Sequence, residues 1–263
     1  MELISSRKNA LARYAAKLSA SAEFRREEGQ FLIEGARLCA DAAVSGVRIT
    51  VLFSTEQAEG RYPEYLARIR QCAEQEYRIT DPVAQLLSDT KSTQGIFCIC
   101  AMNARCSTLD TADPAGKYAA LENIQDPSNL GAVLRTAEAV GVDGVLLLGS
   151  CCDPFAPKAL RAGMGAVFRL PLIASPDGAD AVKTLQSRGF SCYAAVPAAD
   201  AVPITQCHFG GGSVILIGNE GNGLTPETIA ACRTRITIPM KGRAESLNAA
   251  SSAAILLWEL SKN

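Results

Sequence analysis

Three short segments in the second half of the chain bring amides, carboxylates, a guanidinium group and glycines together at spacings that could serve a ligand. The first is Glu122-Asn123-Ile124-Gln125-Asp126-Pro127-Ser128-Asn129-Leu130-Gly131-Ala132-Val133-Leu134-Arg135, a strand-like run followed by a proline turn and an amphipathic helix. Leu130, Val133, Leu134, Ala137 and Val140 make that helix's apolar stripe and leave Arg135 and Glu138 off it. The spacing also allows a purely structural reading, in which Asn129 caps the helix and Arg135 pairs with Glu138. The second segment is Ile217-Gly218-Asn219-Glu220-Gly221-Asn222-Gly223-Leu224. Its glycines let backbone approach a ligand closely, or simply allow a tight turn. The third is Ile238-Pro239-Met240-Lys241-Gly242-Arg243-Ala244-Glu245-Ser246-Leu247-Asn248, where Ser246 could act as a helix N-cap.

Several chemistries are excluded by what these segments lack. The glycine spacing G-x-x-G-x-G is neither the dinucleotide fingerprint nor a P-loop, because no Gly-Lys-Ser/Thr follows. His208 is the only histidine, so a zinc site or a Ser-His-Asp triad would have to use it, and no supporting pattern surrounds it. The ten cysteines include no C-x-x-C; scattered as they are, they read as buried small apolar residues in a reducing compartment. No metal site is expected. The net charge of −1 gives no global basic field, so any nucleic-acid contact must come from a local patch. One candidate is residues 1–26, where Arg7, Lys8, Arg13, Lys17, Arg25 and Arg26 face only Glu2 and Glu23; a solvated amphipathic helix is the alternative. No run suggests a signal peptide or a membrane span, and a cytoplasmic protein is expected.

The elements that must position the three segments alternate along the chain. Residues 31–35 read as a strand, 36–45 as a helix, 48–53 as a strand, 63–76 as a helix, and 77–79 and 95–100 as strands around a helix at 82–89. The polar, turn-rich stretch 106–116, preceded by Asn103 and Arg105, reads as a linker between a module at 1–105 and a second at 117–263. In the second module, strands are expected at 118–122, 144–148, 191–196, 214–217 and 235–238. Helices are expected at 129–140, 179–188, from Thr225-Pro226, and at 246–261. Continuous apolar strands between helices imply an α/β fold with a mainly parallel sheet covered on both faces. Each of the three segments would then lie at a strand end, where open α/β sheets bind ligands.

Taken in order and at these spacings, the segments resemble the motifs of the SpoU family of RNA 2′-O-methyltransferases, in the SPOUT superfamily. Asn123, Asn129, Gly131 and Arg135 match the first motif, and Gly218, Asn219, Glu220 and Gly221 the second. The third is matched by Ile238, Pro239, Met240, Gly242, Ser246, Leu247 and Asn248. The resemblance covers residues 118–260. Phe31-Leu32-Ile33-Glu34-Gly35 and Thr90-Lys91-Ser92-Thr93-Gln94-Gly95-Ile96 resemble the ribosomal-protein-like α/β domain that precedes many SpoU catalytic domains and binds their RNA. Gly163 departs from the pattern, since a serine is expected there.

The resemblance implies a catalytic sheet tied in a deep trefoil knot, a homodimer whose second subunit completes the site, and no membrane partner. It implies S-adenosyl-L-methionine as cofactor, held near Leu148, Gly149, Gly218, Asn219, Gly221, Ile238, Met240 and Leu247. The residues implied in catalysis are Arg135, Asn129, Glu220, Ser246 and Asn248. Arginine stays protonated in proteins, so Arg135 is expected to clamp the adjacent phosphate and stabilise the developing alkoxide. Glu220, Ser246 and Asn248 would orient it and the ribose. Ribosomal RNA, 23S in a bacterium, is the expected substrate; a tRNA methyltransferase, or a silent RNA-binding or assembly protein of the same fold, stays open. A nucleotide-dependent oxidoreductase would need the dinucleotide fingerprint that is missing.

Overall fold

The computed structural model describes residues 1–102, 108–244 and 246–262. The chain forms two compact units. The first is Met1–Asn103 together with Phe155–Phe168, and the second is Ala104–Pro154 together with Arg169–Asn263.

The first unit runs β1 (Glu2–Ile4), α1 (Ala10–Ala20), α2 (Ala22–Glu28), β2 (Gln30–Glu34), α3 (Ala36–Val44), β3 (Ile49–Ser54), α4 (Glu56–Arg61), α5 (Pro63–Arg70), β4 (Ala73–Ile79), α6 (Asp81–Leu87) and β5 (Ile96–Ala101). Its sheet is mixed, in the order β1-β4-β3-β5-β2. The basic N-terminal stretch is two helices rather than one. Asn9 caps α1 through Leu11 and Ala12, and Ser21 both ends α1 and caps α2 through Phe24. Two of the basic residues serve the unit itself. Arg25 is buried and donates to the Leu18 and Ser19 carbonyls at 2.6 and 3.0 Å, and the Lys17 ammonium lies 3.8 Å from the centre of the Phe24 ring. The helix predicted over 63–76 stops at Arg70, because residues 73–79 pair with β3 and β1 as a strand. Pairing in the sheet overrides local helix preference there.

The two segments behind the N-terminal resemblance meet in this unit. The Glu34 carboxylate accepts from the Ser88 and Thr90 hydroxyls at 2.8 and 3.1 Å, and the Gln94 side chain accepts the Ala36 amide at 2.8 Å. The unit also takes in a segment that the sequence places in the second module. Helix α8 (Pro157–Gly163) lies within it. Phe31 packs against Phe155 and Phe168, with ring centroids 4.7 and 6.1 Å apart, and Arg161 pairs with Asp89 at 2.7 Å. Gly163, where a serine was expected, is the buried last residue of α8.

Of the stretch expected as a linker, Asn103, Arg105, 106 and Ser107 lie outside the described residues. The rest is tied into the second unit. Arg188 donates to the carbonyls of Leu109 and Ala112, and the Tyr118 hydroxyl accepts the Asp113 amide at 2.8 Å. The second unit continues with β6 (Lys117–Glu122), α7 (Pro127–Val140), β7 (Gly144–Leu148), β8 (Leu172–Ser175), α9 (Gly178–Ser187), β9 (Ser191–Ala195), β10 (Val202–Pro203), β11 (Ser213–Ile217), α10 (Pro226–Ala231), β12 (Thr234–Thr237) and α11 (Ala249–Ser261).

Seven strands form one parallel sheet in the order β10-β12-β9-β11-β6-β7-β8. Ala120, Leu146, Leu148, Val214 and Leu216 sit in a buried core with Val182, Leu185 and Phe190. The expected α/β class with a covered parallel sheet is therefore the observed one. From β6 the chain winds outward through β7 to β8, then crosses to β9 on the other side. It later returns to place β11 between β9 and β6. The winding direction thus reverses between β6 and β11, and in open α/β sheets such a reversal marks the crevice where ligands bind, at the strands' C-terminal ends.

Candidate active site

The first and second segments follow β6 and β11, at this reversal point. At the end of β6, Asn123 adopts the left-handed conformation with φ 56°, which asparagine tolerates better than most residues. Its side chain accepts the Ser150 amide at 2.8 Å, and its carbonyl accepts the Asn219 side-chain amide at 2.8 Å. Asn123 therefore joins the loops that follow β6, β7 and β11. Gly149, with φ 66°, must lack a side chain because a Cβ would overlap Asn123 Oδ1.

The loop after β11 closes on itself. Asn219 and Gly223 exchange backbone hydrogen bonds of 3.0 and 2.9 Å, and Asn219 Oδ1 accepts the amides of Gly221 and Asn222. Gly218 belongs to the same turn: a Cβ there would overlap the backbone of Gly223 and Leu224. The glycine is therefore required by the loop's own backbone.

This turn holds Glu220 at the start of α7. Its carboxylate accepts the backbone amides of Gln125 and Asp126, each at 3.3 Å, and the Asn129 side-chain amide at 2.9 Å. Partial burial works to raise its pKa, but these N–H donors outweigh burial and hold the carboxyl below its usual range. The helix N-terminus adds to the same preference for a negative charge. From Asn129 the chain of bonds continues, because Asn129 Oδ1 accepts the Asn248 side-chain amide at 3.0 Å. Asn248 is itself the N-cap of α11, accepting the Ala250 and Ser251 amides at 2.9 and 3.3 Å. One residue from each segment thus forms a continuous line, Asn248 to Asn129 to Glu220.

A family model described as the SpoU rRNA Methylase family matches residues 117–258, and one described as an MRM3-like substrate binding domain matches residues 9–98. The chain belongs to the SpoU rRNA methylase family. Among its relatives, the 23S rRNA (guanosine(2553)-2′-O)-methyltransferase RlmP of Bacillus subtilis is 30% identical over 261 residues, 99% of each chain. The mitochondrial rRNA methyltransferase 3 of Xenopus tropicalis is 35% identical over 68% of this chain and 43% of its own length. The crystal structure of an AdoMet-bound rRNA methyltransferase from Sinorhizobium meliloti superposes with a TM-score of 0.86 at 28% identity, covering 98% of this chain and 97% of that one.

In this SpoU chain, the side chains of Asn129, Glu220 and Asn248 come together in one place. Of the purely structural readings, the tight turn in the second segment holds, whereas those for Asn129, Arg135 and Ser246 do not. Asp126, not Asn129, caps α7, accepting the Ser128 amide, with Pro127 at the first helical position. Glu138 pairs with Arg169 at 2.8 Å instead of with Arg135. The last helix begins at Ala249 because Asn248, not Ser246, is its cap.

Arg135 and Ser246 stand apart from the line. Both are exposed, and among the described residues no hydrogen bond joins either to Asn129, Glu220 or Asn248. Arg135 lies six residues past Asn129, about 9 Å along the helix and on another face. Of the residues expected near a cofactor, Leu148, Gly149, Gly218, Asn219 and Gly221 sit at the C-terminal ends of β7 and β11 or just beyond, with Ile238 just past β12. Met240 and Leu247 are exposed apolar side chains in the third segment.

Sequence reasoning missed Glu122. It is 3% exposed, yet accepts the Thr225 amide at 2.7 Å, the Thr225 hydroxyl at 3.0 Å and the Thr228 hydroxyl at 2.5 Å. The available signal was a charged residue closing an apolar strand, Tyr118-Ala119-Ala120-Leu121-Glu122, which burial tolerates only with partners.

Proposed function

We propose that this protein transfers a methyl group from S-adenosyl-L-methionine to a ribose 2′-hydroxyl of 23S ribosomal RNA, in the crevice where Asn248, Asn129 and Glu220 line up. The observation that carries this reading is that one residue from each of three separated segments joins one hydrogen-bonded chain beside the sheet's reversal point. Full-length similarity to a 23S rRNA 2′-O-methyltransferase and to an AdoMet-bound rRNA methyltransferase supports the substrate and the cofactor.

The loops fit such a cofactor. Gly221 leaves backbone uncovered by a side chain, Gly149 and Gly218 let the loops around it close tightly, and Ile238, Met240 and Leu247 bring apolar side chains suited to a purine. Once bound, S-adenosyl-L-methionine supplies an electrophilic methyl group on a sulfonium. The remaining work falls to the protein. A ribose hydroxyl attacks well only as its proton leaves, so charge develops on its oxygen and must be stabilised. Glu220 is unsuited to accept that proton, because N–H donors of Gln125, Asp126, Asn129 and Asn219 already occupy its carboxylate. Its role is to fix Asn129, which Asn248 holds from the other side, and so to orient the ribose. Arg135 keeps its positive charge and serves as the phosphate clamp and alkoxide stabiliser. Ser246 takes part in orienting the ribose from the third segment.

The active form we infer is a homodimer with the catalytic sheet tied in a trefoil knot. The distance of Arg135 from the Asn129 line favours a site completed by a second copy. Ile255 and Trp258, one turn apart on α11, are 40% and 57% exposed and give that copy an apolar face. The late insertion of β11 and β12 between strands already laid down favours the knot. Sedimentation at micromolar concentration should show about twice the 27.7 kDa chain mass, and a purely monomeric species would overturn the shared site.

The first unit supplies the RNA contacts, from the cations of residues 1–26 that remain outward: Arg7, Lys8, Arg13, Lys17 and Arg26. No described helix is long and apolar enough to cross a membrane, and the proposed substrate supports a cytoplasmic location. Mapping 2′-O-methylation across total RNA from cells with and without this protein tests the assignment. One 23S nucleotide should lose its methyl group; an unchanged rRNA map with a lost tRNA methyl group would move the substrate to tRNA, and no change at all would leave a silent RNA-binding protein.

A further inference from the structure

The loop carrying Glu220 is held at both of its ends by two consecutive residues of β6 and its exit. At one end, the Asn219 side chain donates to the Asn123 carbonyl at 2.8 Å. At the other, Thr225 gives both its amide and its hydroxyl to the Glu122 carboxylate, at 2.7 and 3.0 Å, and Thr228 adds a third bond at 2.5 Å. Between these anchors the loop's backbone bonds are local, in the Asn219–Gly223 pair and the Asn219 turn, and the Glu220 carboxylate reaches out to Gln125, Asp126 and Asn129. The setting of Glu220 against Gln125, Asp126 and Asn129 therefore depends on where the two anchors put the loop.

Glu122 is unusual among the anchors because it is a carboxylate removed from water. Leaving such a group inside is costly unless donors surround it, and here three do. The packing around it admits nothing larger. Gly178, the first residue of α9, must be glycine because a Cβ would meet both Glu122 Oε1 and Thr228 Oγ1. Thr225 is also the N-cap of α10, so the same carboxylate sets the start of that helix. A simpler anchor would suffice to hold a helix end. A multiply bonded acceptor at this position ties the end of the loop and the start of α10 together to the end of β6.

We propose that Glu122 is a positioning residue for methyl transfer, acting through Glu220 on Asn129 and the ribose. This rests on the assignment of Glu220 to the site. Glu122→Gln keeps the size but turns one acceptor into a donor, which either opposes the Thr225 amide or takes from the Thr225 and Thr228 hydroxyls the acceptor they now share, so that they must turn to accept instead. The loop then shifts. A displacement near 1 Å lowers turnover by about tenfold to a hundredfold, with the KM for RNA little changed, since the RNA-binding surface is untouched.

The test measures single-turnover transfer of labelled methyl from S-adenosyl-L-methionine to 23S rRNA by the full-length wild type, Glu122→Gln, Glu220→Gln and the double variant. If Glu122 acts through Glu220, the second substitution adds little to the first, so the double variant is about as slow as Glu220→Gln alone. A role in stability alone would multiply the two losses or leave turnover unchanged at temperatures where the variant is folded, and either result overturns the proposal. Full activity in Glu220→Gln would instead overturn the reading of the site itself. Should Glu122→Gln fail to fold, Thr228→Val, which removes one donor at nearly equal volume, reads the same coupling with the same criteria.

Discussion

Gly218→Val should abolish both cofactor binding and methyl transfer, and it should do so by breaking the loop rather than by filling a ligand's space. The backbone of Gly223 and Leu224 already occupies the position where a Cβ would go. Neither group is the movable end of a side chain, so the turn must open. Opening it separates Asn219 from Gly223, frees Glu220 from the start of α7, and exposes the amides of Gln125 and Asp126. Forcing extra atoms into a packed site costs about 1–3 kcal/mol. Even Gly218→Ala carries the offending carbon and should behave almost as badly. The measurement that separates the two causes is made without cofactor. Thermal unfolding of the free variant should come several degrees early, whereas a variant that merely blocked a ligand would melt with the wild type and lose only the stabilisation that S-adenosyl-L-methionine adds.

The sequence disclosed the parts of this fold that depend on local pattern. Val214–Ile217 and Gly144–Leu148 read as interior strands because both of their faces are apolar, and Thr225-Pro226 marked the start of α10 with a cap and a helix-compatible proline. Elements whose existence depends on a distant partner stayed hidden. Three residues of β1 are too few to show a period, and β4 is a strand because β3 and β1 lie on either side of it. Nothing in the composition of residues 155–168 says that they pack on Phe31, since the aromatic pairs form across more than a hundred positions.

The site divides the same way. The types of its residues were legible, but their partners were not. Nearest-neighbour rules assigned Asn129 to a helix cap and Arg135 to Glu138, which are the partners that spacing offers. The folded chain supplies better ones. Asp126 reaches the first turn earlier, and Arg169 reaches Glu138 from another element. Each local bond that fails to form leaves a polar side chain available elsewhere: Asn129 bridges Glu220 and Asn248, and Arg135 remains exposed.

That exposure makes Arg135→Ala an informative substitution. A surface arginine that makes no ion pair among the described residues holds nothing in place, so its removal should change stability by no more than about 0.5 kcal/mol. Cofactor affinity should also be nearly unchanged, because Arg135 projects from α7 whereas the loops proposed to hold the cofactor follow β7, β11 and β12. If the guanidinium clamps the phosphate beside the reacting ribose and meets the developing alkoxide, its full contribution appears only as the methyl group moves. Turnover should then fall by roughly a hundredfold or more, the scale of losing one oxyanion-stabilising donor. Arg135→Lys retains the charge but not the planar pair of donors, and should recover only part of that loss. Calorimetry with S-adenosyl-L-methionine, thermal unfolding and single-turnover transfer to 23S rRNA together decide the matter. Normal turnover by Arg135→Ala would return this arginine to the solvated face of its helix. A loss of turnover matched by an equal loss of stability would also contradict the clamp, because the folded chain gives Arg135 no structural partner among the described residues to lose.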